Sequence, residues 1–131
     1  MATYKRFEEL PVWQKARKFA ANAERLIENS NIKKNFKLRD QMLGSSGSVM
    51  DNIAEGFERS GNKEFIQFLY IAKGSAGEFR CQLYRSLDAN RILESEFKPI
   101  YNEAEIISSE IQNLIKYLSA SKMKGYKYSK S

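Results

Sequence analysis

A hydrophobic period of three to four residues runs without losing phase through two clusters of tiny residues, and this restricts the fold more than any other feature. The clusters are Gly44-Ser45-Ser46-Gly47-Ser48 and Gly74-Ser75-Ala76-Gly77. Leu38, Met42, Ser45, Val49 and Ile53 carry the period through the first, with Gly56 one step further. Phe65, Phe68, Leu69, Ala72, Ser75, Ala76, Phe79, Leu83 and Leu87 carry it through the second. Gly-Ser stretches often serve as flexible linkers, but a linker would interrupt the period. The clusters therefore read as parts of helices. Glycine in a helix interior costs roughly 0.5–1 kcal/mol relative to alanine. Gly44, Gly47, Gly74 and Gly77 are expected to offset that cost by letting two backbones, or a neighbouring subunit, approach closely.

The rest of the chain is equally helical in pattern. Only Pro11 and Pro99 occur as prolines among 131 residues, too few breakers for a many-turned β architecture. A first helix begins near Pro11, a good first-turn residue. It carries Val12, Ala16, Phe19, Ala20, Ala23, Leu26 and Ile27 on one stripe and ends at the turn-forming Asn29-Ser30-Asn31. The second helix spans about 37–57. The third follows Ser60-Gly61-Asn62, with Ser60 or Asn62 as its cap, and runs to about Asn90. The fourth is expected after a Ser95 cap, with Pro99 in its first turn and a stripe of Ala104, Ile107, Ile111, Leu114 and Leu118. Long helices with short connections pack as antiparallel neighbours. The expected fold is all-α: an up-down-up-down four-helix bundle over residues 1–118, followed by a basic tail over 119–131.

Composition closes off much chemistry. Histidine is absent and Cys81 is the sole cysteine, so this chain forms no internal disulfide, Cys/His zinc site, Ser-His-Asp triad or Cys-His pair. No apolar run approaches the roughly 20 residues of a membrane span. The start, Met1-Ala2-Thr3-Tyr4-Lys5-Arg6, lacks a signal-peptide core, so cytoplasmic residence is expected and a membrane partner is not. The net charge of +6 is uneven, because residues 111–131 hold Lys116, Lys122, Lys124, Lys127 and Lys130 and no acid. A second basic group is Lys33, Lys34, Lys37 and Arg39, relieved only by Asp40.

Three motifs then carry a resemblance. Phe7-x-x-Leu10-x-Val12-Trp13-x-x-Ala16, Asn52-Ile53-Ala54-Glu55-Gly56-Phe57-x-Arg59 and Phe65-x-x-Phe68-Leu69-x-Ile71-Ala72-x-Gly74-Ser75-x-x-Glu78 resemble the bacterial four-helix-bundle family of 23S rRNA intervening-sequence proteins. The chain is similar, more distantly, to the accessory variability determinant of diversity-generating retroelements. The resemblance covers about residues 7–118. It implies a homo-oligomeric ring, typically of five subunits, and an association with nucleic acid or a nucleic-acid enzyme. The family usually shows an Arg-Arg pair and an alanine in the second helix, then a proline before the Asn-Ile-Ala-Glu-Gly motif. Met42-Leu43-Gly44 and Met50-Asp51 stand there instead, which removes a basic patch.

Each polar motif has a structural reading beside a chemical one. Asn52, Glu55 and Arg59 form a polar face, and Glu55 with Arg59 is an i,i+4 pair worth about 0.2–0.5 kcal/mol when exposed. With Gly56, Trp13, Ser75 and Glu78 and the four cluster glycines, these residues are expected in helix or subunit packing. An enzyme using Glu55 would need a second group for acid–base work, and Glu78 is the available partner. Gly44-x-x-Gly47 lacks the lysine and the preceding strand of a phosphate loop. Trp13, Phe65, Phe68 and Tyr70 at helical spacing read as core or subunit contacts rather than stacking platforms. Tyr126 and Tyr128, interleaved with Lys122, Lys124, Lys127 and Lys130, have the basic-aromatic composition that suits nucleic-acid backbones. The expected function is a non-enzymatic oligomeric scaffold, without cofactor or metal, that binds RNA, DNA or a ribonucleoprotein non-specifically. The alternative is a structural oligomer or adaptor that docks a protein such as a reverse transcriptase.

Overall fold

The computed structural model describes residues 3–59 and 61–121. Four helices carry the chain: α1 Pro11–Glu28, α2 Phe36–Glu58, α3 Asn62–Asp88 and α4 Glu94–Ala120. Single 3-10 turns at Phe7–Glu9 and Asn31–Lys34 precede α1 and α2, and no strand occurs among the described residues.

Local chemistry sets most of the boundaries. Pro11 opens α1, where its missing N–H is no loss. Ser30 accepts from the Ile32 N–H at 3.3 Å, and Ile32 plugs the core between α1 and α2 with no exposed surface. Asn35 caps α2 by accepting from the Leu38 N–H at 3.1 Å. Between α2 and α3 the chain turns through Gly61 at φ 98°, a conformation that costs glycine little.

Two caps differ from expectation. No side chain caps α3: Asn62 is its first residue and donates instead to the Leu118 carbonyl of α4 at 3.3 Å, while Ser60 lies outside the described residues. Ser95 lies inside α4, whose cap is Leu93; the Glu96 carboxylate accepts from the Leu93 N–H at 2.8 Å. Pro99 consequently sits in the second turn, where the Ser95 carbonyl loses its helical donor. Both residues are exposed, which leaves that end of the helix open to solvent.

The stripes converge on one core. Phe19 of α1 meets Phe79 of α3 edge to face at 5.0 Å between ring centres, both fully buried. Val12, Trp13, Ala16, Ala23 and Ile27 surround them from α1, and Leu38, Met42, Val49, Ile53 and Phe57 from α2. Burying each large apolar side chain stabilises the fold by about 1.5–3 kcal/mol. On α4, Ile115 occupies the buried position and Leu114 is only half-buried. The 3.6-residue turn favours a step of four there over the three expected.

α1 and α3 each pack against both α2 and α4. Paired contacts run in opposite sequence senses. On α2 and α3 they are Ser45 with Gln82 at 2.6 Å and Ser48 with Ser75 at 2.9 Å. On α1 and α4 they are Lys15 with Glu110 and Asn22 with Glu103, and on α3 and α4 Lys73 with Gln112 and Tyr84 with Tyr101.

The glycine expectation needs correction. A Cβ built on Gly44, Gly47 or Gly74 meets nothing within 4 Å, and one on Gly77 meets only an Arg80 terminal nitrogen at 3.5 Å. These glycines do not bring α2 and α3 of one chain together. The serines beside them do: Ser45, Ser48 and Ser75 occupy the seam and bond across it. The tight glycine is Gly56, where a Cβ would lie 2.6 Å from the Phe68 Cβ.

Candidate nucleic-acid interface

The segment that joins α1 to α2 gathers the basic residues. Its 3-10 turn is held from below by buried Ile32, which leaves Lys33 and Lys34 exposed on the outside. Lys37 is exposed in the first turn of α2. Arg39 is half-buried, pairs with Asp40 at 3.1 Å and lies 5.2 Å from the ring centre of Phe36. Phe36 itself is 69% exposed. No acid stands in the first turn of α2. Cations at a helix N-terminus oppose the helix dipole and cost about 0.3–1 kcal/mol each when exposed, so local stability does not account for this cluster.

Packing adds two cations that lie far away in sequence. Arg91 donates to the Asn31 carbonyl at 3.1 Å, and Arg85 donates to Gln41 at 3.3 Å. Arg91 and Lys33 line a polar recess of about 490 Å³ with Asn29, Asn31 and Asn90. Glu28 and Glu96 also line it, Glu96 being engaged as the α4 cap. Asn90 turns the chain there at φ 57°, which asparagine tolerates better than most residues. Sequence spacing gives no hint of Arg85 or Arg91, because only the pairing of α3 with α2 brings them to this end.

Lys116, on α4, lies toward the opposite end of the helices from this cluster. α4 ends at Ala120, on the end of the helices where Asn62 of α3 bonds Leu118. Lys33, Lys34, Lys37 and Arg39 lie near the other end of α3, a helix of about 40 Å. Lys122, Lys124, Tyr126, Lys127, Tyr128 and Lys130 lie outside the described residues.

The remaining motif residues make a polar seam and its continuation. Asn52 donates to the Ser48 carbonyl and hydroxyl, each at 2.8 Å, and the same Ser48 hydroxyl accepts from Ser75. Arg59 pairs with Glu55 at 3.1 Å, reaches Glu64 at 3.6 Å and covers the Phe68 ring at 5.1 Å. Glu78 accepts from Gln82 at 3.5 Å. With Ser48 opposite Ser75 and Gly56 opposite Phe68, Glu55 and Glu78 stand about nine residues apart along the seam, roughly 13 Å. That exceeds the ~5–9.5 Å between carboxylates that share one reacting bond in glycoside hydrolysis. Trp13 and Phe65 are buried within the chain, Trp13 edge-on to Phe7 at 5.0 Å, whereas Tyr70 is 53% exposed. Among the described residues no three His, Cys, Asp or Glu side chains cluster as metal ligands, and no helix is long and apolar enough to cross a membrane.

Comparison with known proteins agrees with this arrangement of helices. A solved structure is similar to the chain at 27% identity and a TM-score of 0.72, covering 80% of this chain and 98% of its own. It is described as a protein with unknown function from the S23 ribosomal protein family of Bacteroides thetaiotaomicron VPI-5482. No curated protein matches. The family model for 23S rRNA-intervening sequence proteins matches residues 8–113. The chain belongs to that family.

Proposed function

We propose that the chain is an up-down-up-down bundle that assembles in the cytoplasm as a homo-oligomeric ring, with five subunits as the expected number. The ring acts as a non-enzymatic scaffold and binds RNA, DNA or a ribonucleoprotein without sequence preference. The observation that carries this reading is the gathering of Lys33, Lys34, Lys37, Arg39, Arg85 and Arg91 at one end of the helices, against the dipole of α2. A phosphate there would meet cations and helix N–H groups together. Repetition around a ring multiplies weak contacts into avidity.

The test measures RNA and DNA binding by the full chain, by a chain ending at Ser121, and by a Lys33→Gln/Lys34→Gln/Lys37→Gln variant, at low and moderate salt. Counterion release makes the affinity fall steeply with salt. Negligible binding by the full chain at low salt would sink the proposal.

A second reading is an adaptor that docks a protein, such as a nucleic-acid enzyme, and has no nucleic-acid affinity of its own. Exposed Phe36 and Leu43 favour it, because Leu43 adjoins the open Gly44 and Gly47 on α2 and Phe36 lies about two turns before it. It predicts a stable oligomer that ignores nucleic acid and captures that enzyme through α2.

A further inference from the structure

Along α3, Tyr70, Lys73, Gly77, Arg80 and Tyr84 recur at spacings of three and four, which places them in one row. Contacts set this row against α4. Lys73 donates to Gln112 at 2.9 Å, and the Arg80 guanidinium lies 5.8 Å from the Tyr101 ring centre. Tyr84 packs on Phe97 at 5.0 Å and edge-on to Tyr101 at 5.5 Å. The seam thus joins two lysine or arginine cations to an aromatic group whose outer member, Tyr84, is 48% exposed.

The seam is also incompletely satisfied. Arg80 Nε and Ser108 Oγ are buried and have no hydrogen-bond partner. Ser108 follows Tyr101 by seven residues and precedes Gln112 by four, so it shares their face of α4, level with Gly77. It is 8% exposed. Arg80 forms no ion pair with any described residue. Glu105 and Arg80 both bear on the Tyr84 hydroxyl electrostatically, in opposite directions. A buried donor without an acceptor costs free energy that an arriving acceptor would recover. Gly77 lies beside the guanidinium: a Cβ there would stand in ordinary contact with an Arg80 terminal nitrogen, at 3.5 Å.

We propose that the α3–α4 seam is a site for single-stranded nucleic acid, in which Arg80 takes a phosphate and Tyr84 stacks on the neighbouring base. Swinging outward to the phosphate releases Nε from a position that offers it no acceptor. Stacking on Tyr84 needs a free base face, so the site selects unpaired strands over duplex. It opens on the α4 side of α3, whereas Arg85 of the basic end turns to α2, and it rests on the reading that the protein binds nucleic acid.

The test uses the full chain, a labelled twelve-nucleotide oligo(dT) and a twelve-base-pair duplex, read by fluorescence anisotropy. Arg80→Gln is expected to weaken oligo(dT) binding about five- to tenfold and to lower the salt slope by about one. Tyr84→Ala weakens it by about the same factor. Duplex binding changes less than twofold in both, and Arg80→Lys retains most of the affinity. A photo-crosslinker on the exposed Cys81, beside Arg80, is expected to capture oligo(dT) in the otherwise unaltered chain.

Equal oligo(dT) affinity of Arg80→Gln and the unaltered protein, with loss only in the Lys33/Lys34/Lys37 variant, overturns the seam and leaves the general reading standing. No binding by any of the proteins overturns both. A change of molecular mass in Arg80→Gln shows that another copy of the chain supplies the missing acceptor, and it too overturns the site. So does displacement of oligo(dT) by uridine monophosphate at equal affinity, because the ligand would then be a free nucleotide.

Discussion

The backbone of Gly56 on α2 lies so near Phe68 on α3 that a methyl group added to the glycine would stand 2.6 Å from the Phe68 Cβ and 3.0 Å from Phe65 Cδ1. No rotamer change relieves a clash with a Cβ, so the two helices would have to separate. Gly56→Ala is expected to destabilise the protein by about 1–3 kcal/mol in chemical denaturation, as overpacked cores do.

Gly44→Ala and Gly74→Ala behave in the opposite way. Both sites have room for a methyl group, and alanine favours helix by about 0.5–1 kcal/mol over glycine. Each substitution is expected to raise the melting temperature. A fall that deepens on dilution would instead mark these glycines as contacts between subunits.

The buried Ser45 hydroxyl donates to Gln82 Oε1 at 2.6 Å. Ser45→Ala leaves that oxygen without its donor in a site where Gln82 is 4% exposed, and is expected to cost about 1–3 kcal/mol. Adding Gln82→Leu removes the orphan and should recover part of the loss, which a double-mutant cycle measures.

Lys37→Glu separates binding from folding. A carboxylate in the first turn of α2 agrees with the helix dipole, so stability is expected to rise by about 0.3–1 kcal/mol. Nucleic-acid affinity at low salt is expected to fall. A variant that gains stability and keeps its affinity would remove this lysine from the interface.

Tyr84 titrates above its ordinary value of 10.0, because its hydroxyl is hydrogen-bonded with Tyr101 and Tyr101 also bears on it electrostatically. A raised folded-state pKa gives a stabilising contribution that is complete below the unfolded pKa and is lost as pH rises through the folded one. Phenolate absorbance is expected to show one tyrosine titrating late. Tyr101→Phe should return it toward the ordinary range.

The helices were legible because their signal is local. Pro11 opens α1, Asn29 closes it, and the stripe from Leu38 to Ile53 keeps its phase through the glycines with every member buried. The α4 start misled because Ser95 and Pro99 imitate a cap and a first turn, whereas Glu96 reaching back to Leu93 starts the helix two residues earlier and leaves the proline in the second turn. The site was legible only in part. Lys33, Lys34, Lys37 and Arg39 are neighbours in the chain, but Arg85 and Arg91 join them only when α3 packs beside α2.

The opening periodicity determined by itself that both Gly-Ser clusters are helical, since side-chain spacing along one helix depends on nothing beyond that helix. What those small residues are for was decided by tertiary structure. Two residues one step apart on a helix point about 100° apart, so Ser45 and Ser48 meet α3 while Gly44 and Gly47 face outward. Only the placement of the second helix tells which of those directions is filled.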